Sequence, residues 1–157
     1  MDRVKLAEAL ALRSDRARRV EQLRSRIVAS ARYQDGETPA EDAAALLGEV
    51  VEVLDELESL IRRINRTNAA TTVEGGTLTD ALARRDVLRL RHAVITSAAD
   101  AAAGKDQRAF RQLRSELTMI PALPVAGLRR QADDLARELR EVDTFIQRTN
   151  WEADLLD

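Results

Sequence analysis

Two short polar segments carry the residue types that best suit a binding function. They are Asn65, Arg66, Thr67 and Asn68, and Arg148, Thr149, Asn150 and Trp151. Guanidinium, amide and hydroxyl groups can bind an anion or a partner protein, and a lone tryptophan can anchor an interface. The same side chains commonly satisfy the last carbonyl groups of helices. Helix capping is therefore the simpler interpretation, and an interaction pole formed by these eight residues is the functional one.

Arg85, Asp86 and His92 are further polar positions, lying on the stripe of another predicted helix. His92 is the only histidine and the chain has no cysteine, so a multi-histidine metal site or a thiolate nucleophile is not available. Acidic pairs such as Glu52 and Glu56 share a helix face, but the Glu-x-x-His motif of di-iron bundles is absent. No phosphate-binding glycine loop or nucleophile elbow occurs. We expect no catalytic residue, metal or cofactor, and predict that the protein is not an enzyme.

The first polar segment ends a long predicted helix, from Thr38 to Asn68. Thr38, Pro39 and Glu41 have the spacing of a capping box at its start. Leu46, Val53 and Leu60 widen its apolar stripe, as in a helix packed in a bundle. The stripe itself has the alternating four- and three-residue spacing of a coiled-coil heptad and consists of Ala43, Leu47, Val50, Leu54, Leu57, Ile61 and Ile64.

Opposite charges mark this helix and the one before it. The preceding helix, from Val4 to about Arg32, is rich in arginine, whereas Thr38–Asn68 has only acidic charges until Arg62. A short turn at Gln34-Asp35-Gly36 predicts that the two helices pack antiparallel. We expect the basic stripe to face the acidic one, with nucleic-acid binding by the basic helices as the alternative.

The rest of the chain predicts two more helices and short extended segments. β-branched residues before Gly75-Gly76 indicate a small hairpin near residues 70–77. Helices should follow from about Thr77 to Ala103 and from about Val125 to Trp151. Between them, Phe110 and Leu113 could form another turn or two of helix. Residues 116–120 contain the apolar run Leu117–Ile120, which we interpret as an extended segment able to pair with Thr71–Val73.

Short sequence matches indicate that one helical hairpin occurs twice. The residues from Leu6 to Arg13 resemble those from Leu78 to Arg85, and Ile64–Asn68 resembles Ile146–Asn150. The predicted fold is therefore all-α: an antiparallel four-helix bundle of two duplicated long hairpins. We expect a single domain, residues 1–157, with pseudo-repeats at about 4–68 and 77–150. The duplication also predicts that both polar segments lie at one pole.

Composition limits the possible functions further. Of 157 residues, 33% are charged, but the net charge is only −2, so no strong overall field favours nucleic acid. No apolar run approaches the roughly 20 residues of a membrane span, so we expect no stable membrane insertion. The absence of cysteine and of an evident signal peptide predicts a cytoplasmic protein. With 3% aromatic residues and slender helices, the chain should gain apolar burial by forming a homo-oligomer; any small-molecule ligand is unknown.

Eight segments carry a resemblance to a known family: Lys5–Leu10, Gln22–Arg26, Gly36–Asp42, Ile64–Asn68, Thr77–Asp80, Arg85-Asp86, Arg114–Glu116 and Asn150-Trp151. With these segments, the chain resembles, across nearly its whole length, a family of small, uncharacterised bacterial proteins often labelled septicolysin-like. The label implies a pore-forming cytolysin, so the resemblance adds membrane activity as an alternative function. It implies no specific site residue. The leading hypothesis remains a self-associating structural or interaction protein.

Overall fold

The fold consists almost entirely of helices. The computed structural model describes residues 3–105 and 117–157. These residues form four helices and two short strands, which confirms the predicted all-α class. In chain order they are α1 (Leu6–Ser30), α2 (Ala43–Ala70), β1 (Thr72–Val73), β2 (Gly76–Thr77), α3 (Leu78–Ala102) and α4 (Val125–Glu152).

The chain divides into two compact units. The first unit contains Met1–Leu78 together with Gln147–Asp157, and the second contains Thr79–Ile146. The first unit therefore comprises α1, α2, the small hairpin and the end of α4. The second comprises most of α3 and α4.

In the first unit, α1 and α2 pack antiparallel, as predicted. Arg16 Nε lies 2.5 Å from a Glu56 carboxylate oxygen, and further ion pairs join Arg19 to Glu49 and Arg26 to Glu41. As the residue number rises along α1, that of its partner falls along α2. The basic stripe of α1 thus faces the acidic stripe of α2. The connecting turn closes through a hydrogen bond of 2.9 Å from the Glu37 amide to the Gln34 carbonyl, with Gly36 at φ 86°.

The predicted start of α2 is wrong. The helix begins at Ala43 rather than after Thr38, and Asp42 is its N-cap. The Asp42 carboxylate accepts hydrogen bonds from the amides of Ala44 and Ala45, at 3.0 and 3.1 Å. Glu41, expected to complete a capping box, instead binds Arg26 of α1. The Glu41 carboxylate therefore pairs with a basic residue of the neighbouring helix instead of capping α2.

The seam that α2 buries is also offset from the predicted one. Leu47, Leu54 and Ile61 were expected on the packed side but are 51, 44 and 39% exposed. Two apolar seams lie side by side on α2, and periodicity alone does not show which of them faces α1. The buried or half-buried seam, again at heptad spacing, is Leu46, Val50, Val53, Leu57, Leu60, Ile64 and Thr67.

The predicted hairpin is confirmed, but the pairing expected between Leu117–Ile120 and Thr71–Val73 is not found among the described residues. β1 and β2 are antiparallel, with Thr72 opposite Thr77 and Val73 opposite Gly76. The sheet has only these two strands among the described residues. Leu117–Ile120 lies outside any strand and is exposed, in agreement with the helix- and strand-breaking prolines that follow it. Phe110 and Leu113, for which another helical turn was predicted, lie outside the described residues.

In the second unit, α3 and α4 also pack antiparallel. Arg85 Nη1 lies 3.6 Å from the Asp143 carboxylate, and Arg129 Nη2 lies 2.6 Å from that of Asp100. The helix α3 ends in a Schellman motif at Gly104, which has φ 79°. Its amide donates to the Ala101 carbonyl at 3.1 Å, and the Lys105 amide donates to that of Asp100 at 3.0 Å.

None of the helices in residues 3–105 and 117–157 combines the length and the apolar character that crossing a bilayer requires. Within the same residues, no group of three histidine, cysteine or acidic side chains is placed to hold a metal ion.

Candidate functional site

The eight residues of the predicted interaction pole all belong to the first unit. Two of them, Thr67 and Thr149, are buried, whereas Asn68 and Asn150 are half-buried. The remaining residues of the pole, Trp151 among them, are exposed. In each polar segment, the threonine is therefore the inward-facing residue. Its side chain follows a buried isoleucine, Ile64 or Ile146, at the helical spacing of three residues.

Thr67 is the centre of a hydrogen-bond network. The side chain is 1% exposed. The hydroxyl group donates to the Arg63 carbonyl at 2.8 Å and accepts from the Leu156 amide at 2.9 Å. The Thr67 carbonyl in turn accepts from the amide and the hydroxyl of Thr71, at 2.9 and 2.7 Å. This part of the pole therefore satisfies its own polar groups, as the capping interpretation expects.

The C-terminal segment, residues 153–157, packs against the start of α1 within the first unit, and the sequence analysis did not predict this contact. The Leu6 amide donates to the Ala153 carbonyl at 2.9 Å, and the Leu155 amide donates to the Val4 carbonyl at 2.8 Å. Leu155 is buried. A leucine placed shortly after a predicted helix end was the available signal for this docking.

An ion pair joins this segment to the start of α1. Lys5 Nζ lies 2.6 Å from a carboxylate oxygen of Asp154, and Arg3 adds a longer contact of 4.0 Å. The hydrogen bond from Lys5, followed by the positive charges of Lys5 and Arg3, lowers the pKa of Asp154 below its usual value, against a smaller opposing effect of desolvation. The ionised carboxylate therefore favours the docked segment.

A groove of about 400 Å³ lies beside the pole on α2. Arg63 Nε donates to the Leu156 carbonyl at 3.0 Å, and Arg66 Nη1 donates to the main-chain oxygen of Asp157 at 2.9 Å. Arg62 pairs with Glu58. The lining contains three arginines and three carboxylate side chains, those of Asp55, Glu58 and Asp157. Their charges cancel, so the groove has no net charge that would select an anion. Its lining residues are Asp55, Glu58, Ser59, Arg62, Arg63, Arg66 and Asp157.

The predicted polar-stripe residues belong to the second unit. Arg85 and His92 are half-buried, whereas Asp86 is exposed. The Arg85 guanidinium lies 3.6 Å from the carboxylates of both Asp143 and Asp86. Its Nε atom is buried without a hydrogen bond to any described residue. The geometry of this cluster is that of an ion pair between α3 and α4, with no nucleophile or second histidine among its members to support catalysis.

Two exposed apolar seams are the least expected features of the surface. On α2, Leu47, Val51, Leu54 and Ile61 are 39–55% exposed and recur at heptad spacing. On α3, Val87, Leu90 and Val94 are 48–67% exposed at the same spacing. We name them the α2 seam and the α3 seam. Such aligned exposure differs from the single scattered apolar residues that most protein surfaces carry.

Comparison with known proteins identifies relatives without an established role. A family model described as a family of unknown function (DUF6847) matches residues 13–155. The crystal structure of a functionally unknown conserved protein from Corynebacterium diphtheriae matches with a TM-score of 0.90 and 37% sequence identity. The match covers 99% of this chain and 100% of that one. No curated protein matches. Neither description carries a septicolysin-like label, so the comparisons support the resemblance only as membership of an uncharacterised family.

Proposed function

Since the chain belongs to the DUF6847 family, whose function is unknown, we propose its function from its own surface: a non-enzymatic helical protein that self-associates through the α2 seam. The observation that carries this proposal is the exposure of Leu47, Val51, Leu54 and Ile61 on one face. The same helix already buries a different seam against α1. A second seam at heptad spacing is typical of a helix that packs against two neighbours.

The energetic gain from covering the α2 seam is substantial. Full burial of a large aliphatic side chain contributes roughly 1.5–3 kcal/mol, so a half-exposed one leaves on the order of 1 kcal/mol unrealised. The four residues of the α2 seam therefore leave on the order of 4 kcal/mol of apolar burial unrealised on each copy. This unrealised burial favours a partner that covers the seam.

The pole and the groove beside it are assigned to intramolecular stability rather than to ligand binding. Thr67, Arg63 and Arg66 already bind the main chain of residues 156 and 157. The basic residues of α1 that would be needed for nucleic-acid binding are partly occupied as well, since Arg16, Arg19 and Arg26 pair with α2. The absence of cysteine supports a reducing compartment such as the cytoplasm as the place of action.

Sedimentation velocity on matched variants tests the proposal. Leu54→Glu puts a charge in the middle of the α2 seam and should weaken self-association at least tenfold, because a buried unpaired carboxylate is costly. Val28→Glu makes the same kind of change at an exposed residue of α1 outside the seam and should leave association unchanged. Equal behaviour of the two variants, with both folded by circular dichroism, would contradict the proposal.

A further inference from the structure

We infer that residues 153–157 form a strap that opens and closes as one unit, that it holds three helix ends together when closed, and that salt favours the open form. The strap follows directly from the end of α4 and contacts both the start of α1 and the end of α2. All of these residues belong to the first unit. The inference goes beyond the proposed self-association, because it concerns a movement within one chain.

On the α1 side, the strap supplies a hydrogen-bond acceptor that the helix itself lacks. The amides in the first turn of a helix have no acceptor within that helix. Leu6, the first residue of α1, donates its amide to the Ala153 carbonyl at 2.9 Å. The Leu155 amide donates to the Val4 carbonyl at 2.8 Å, so the two segments form an antiparallel bridge. Opening of the strap therefore exposes the Leu6 amide to solvent.

On the α2 side, the next two residues of the strap are held through their main chain. The Leu156 amide donates to the buried Thr67 hydroxyl at 2.9 Å, and the Leu156 carbonyl accepts from Arg63 Nε at 3.0 Å. Arg66 Nη1 donates to the main-chain oxygen of Asp157 at 2.9 Å. Opening of the strap therefore exposes the Leu156 amide as well.

Lys5 connects the strap to the end of α4. Its Nζ atom donates to the Asp154 carboxylate at 2.6 Å and to the carbonyl of Glu152, the last residue of α4, at 3.2 Å. One ammonium group thus binds both the strap and the helix end from which the strap leaves. The contacts at the three helix ends are linked through the same short stretch of chain.

The strap is too short for its two sides to open separately. Residues 153 and 155 bind the start of α1, whereas residues 156 and 157 bind the end of α2. Of the five side chains, all of which the structure describes, only that of Leu155 is buried, and it lies in the chain where the two sets of contacts meet. Withdrawal of Leu155 therefore removes both neighbouring sets of hydrogen bonds.

The balance of contacts places the open form closer in free energy to the native state than unfolding of the helices. Ordering five residues costs conformational entropy, which one buried leucine and several solvent-exposed polar contacts must offset. Segments with few buried apolar contacts open more readily than the core. The side chains of Lys5 and Asp154 are 39 and 38% exposed, so dissolved ions weaken their attraction.

Hydrogen exchange of the full chain near neutral pH tests the strap with two adjacent leucines. Leu155→Ala removes the buried side chain and should accelerate exchange at the Leu6 and Leu156 amides by the same factor, at least tenfold. Leu156→Ala changes a side chain that is 44% exposed and should change exchange at the Leu6 amide by less than about threefold. The Val53 amide, in the middle of α2, should exchange at the same rate in both variants, since the opening is local. Equal effects of the two substitutions on Leu6 would overturn the strap.

A substitution on the α2 side shows whether the opening is concerted, and it uses an exposed residue that cannot disturb the core. Arg66→Gln should accelerate exchange about threefold at Leu156 and equally at Leu6, on the α1 side. Faster exchange at Leu156 with an unchanged rate at Leu6 would show two independent contacts and overturn the concerted opening.

Raising NaCl from about 0.05 to 1 M shortens the screening length from over 10 Å to roughly 3 Å. Exchange at Leu6 and Leu156, relative to Val53, should then rise about two- to fivefold, the range expected for loss of an exposed ion pair. Unchanged relative rates would overturn the effect of salt on the strap.

Discussion

The hydroxyl group of Thr67 accepts a hydrogen bond of 2.9 Å from the amide of Leu156, 89 residues away in the sequence. The same hydroxyl donates to the Arg63 carbonyl within α2. Because its hydroxyl group both donates and accepts a hydrogen bond, this buried threonine connects the end of α2 to the C-terminal segment. Its role is therefore to fix the segment in place, and this accounts for a polar residue at the last position of the buried seam.

Thr67→Val should loosen the C-terminal segment. Valine keeps the shape of threonine but cannot accept the Leu156 amide, which costs about 1 kcal/mol of stability. For a chain of this length, this corresponds to a decrease in melting temperature of about 2–4 °C. Hydrogen exchange should show faster exchange at Leu156. The exposed Thr144→Val is the matched control and should change neither quantity; equal effects of both variants would contradict this role of Thr67.

Acidification should release the same segment at its other anchor. The pKa of Asp154 is lower in the folded protein than its usual value near 3.8, because Lys5 donates a hydrogen bond to the carboxylate. The ion pair therefore stabilises the fold at pH values above the usual pKa, and this contribution is lost as the pH falls through the lowered folded-state pKa. Hydrogen exchange measured down this range should show progressive opening at Ala153–Leu155. In the Asp154→Asn variant, Ala153–Leu155 should already exchange faster near neutral pH, because the ion pair with Lys5 is absent. Acidification should then increase exchange at these residues less than it does in the unmodified protein.

Replacement of the two candidate caps distinguishes the observed start of α2 from the one expected from the sequence. Asp42→Ala removes the acceptor for two amides and should destabilise the protein by about 1 kcal/mol. Thr38→Ala changes an exposed residue outside the helix and should stay within about 0.5 kcal/mol. Chemical denaturation measures both. A larger loss for Thr38→Ala than for Asp42→Ala would contradict the observed helix start.

Two glycines should respond in opposite directions to the same substitution. Gly104 has φ 79°, in the left-handed region, so Gly104→Ala should destabilise the protein by about 1 kcal/mol. Gly48 lies inside α2, where a methyl group added to its Cα would meet no other described residue within 4 Å. Gly48→Ala should therefore stabilise the helix by about 0.5–1 kcal/mol. Chemical denaturation of both variants measures the change in the free energy of unfolding. A change in the same direction for both substitutions would contradict this account.

Periodicity and charge predicted the helices well. Apolar periodicity together with helix start and stop signals located all four helices to within a few residues, except at the start of α2. The opposite charges of α1 and α2 correctly predicted their antiparallel pairing. These features are local or act between neighbours in the chain, so the sequence contains them directly.

Features that depend on tertiary packing were not predicted from the sequence. The sequence shows two apolar seams on α2, but only packing against α1 decides that Leu46 is buried and Leu47 is exposed. Glu41 could bind either the Thr38 amide, three residues away, or Arg26 of α1, and in the structure it binds Arg26. The docking of Leu155 near Val4 joins the two ends of the described chain, which no short-range pattern reports. The internal duplication and the oligomeric state stay predictions.

Sedimentation equilibrium of the unmodified protein is the most direct test of the central claim, self-association through an exposed helical seam. Measured from about 1 to 100 µM, a range suited to moderate affinity, the average mass should rise with concentration above the 17.5 kDa of one chain. A mass that stays at 17.5 kDa over the whole range would contradict the claim.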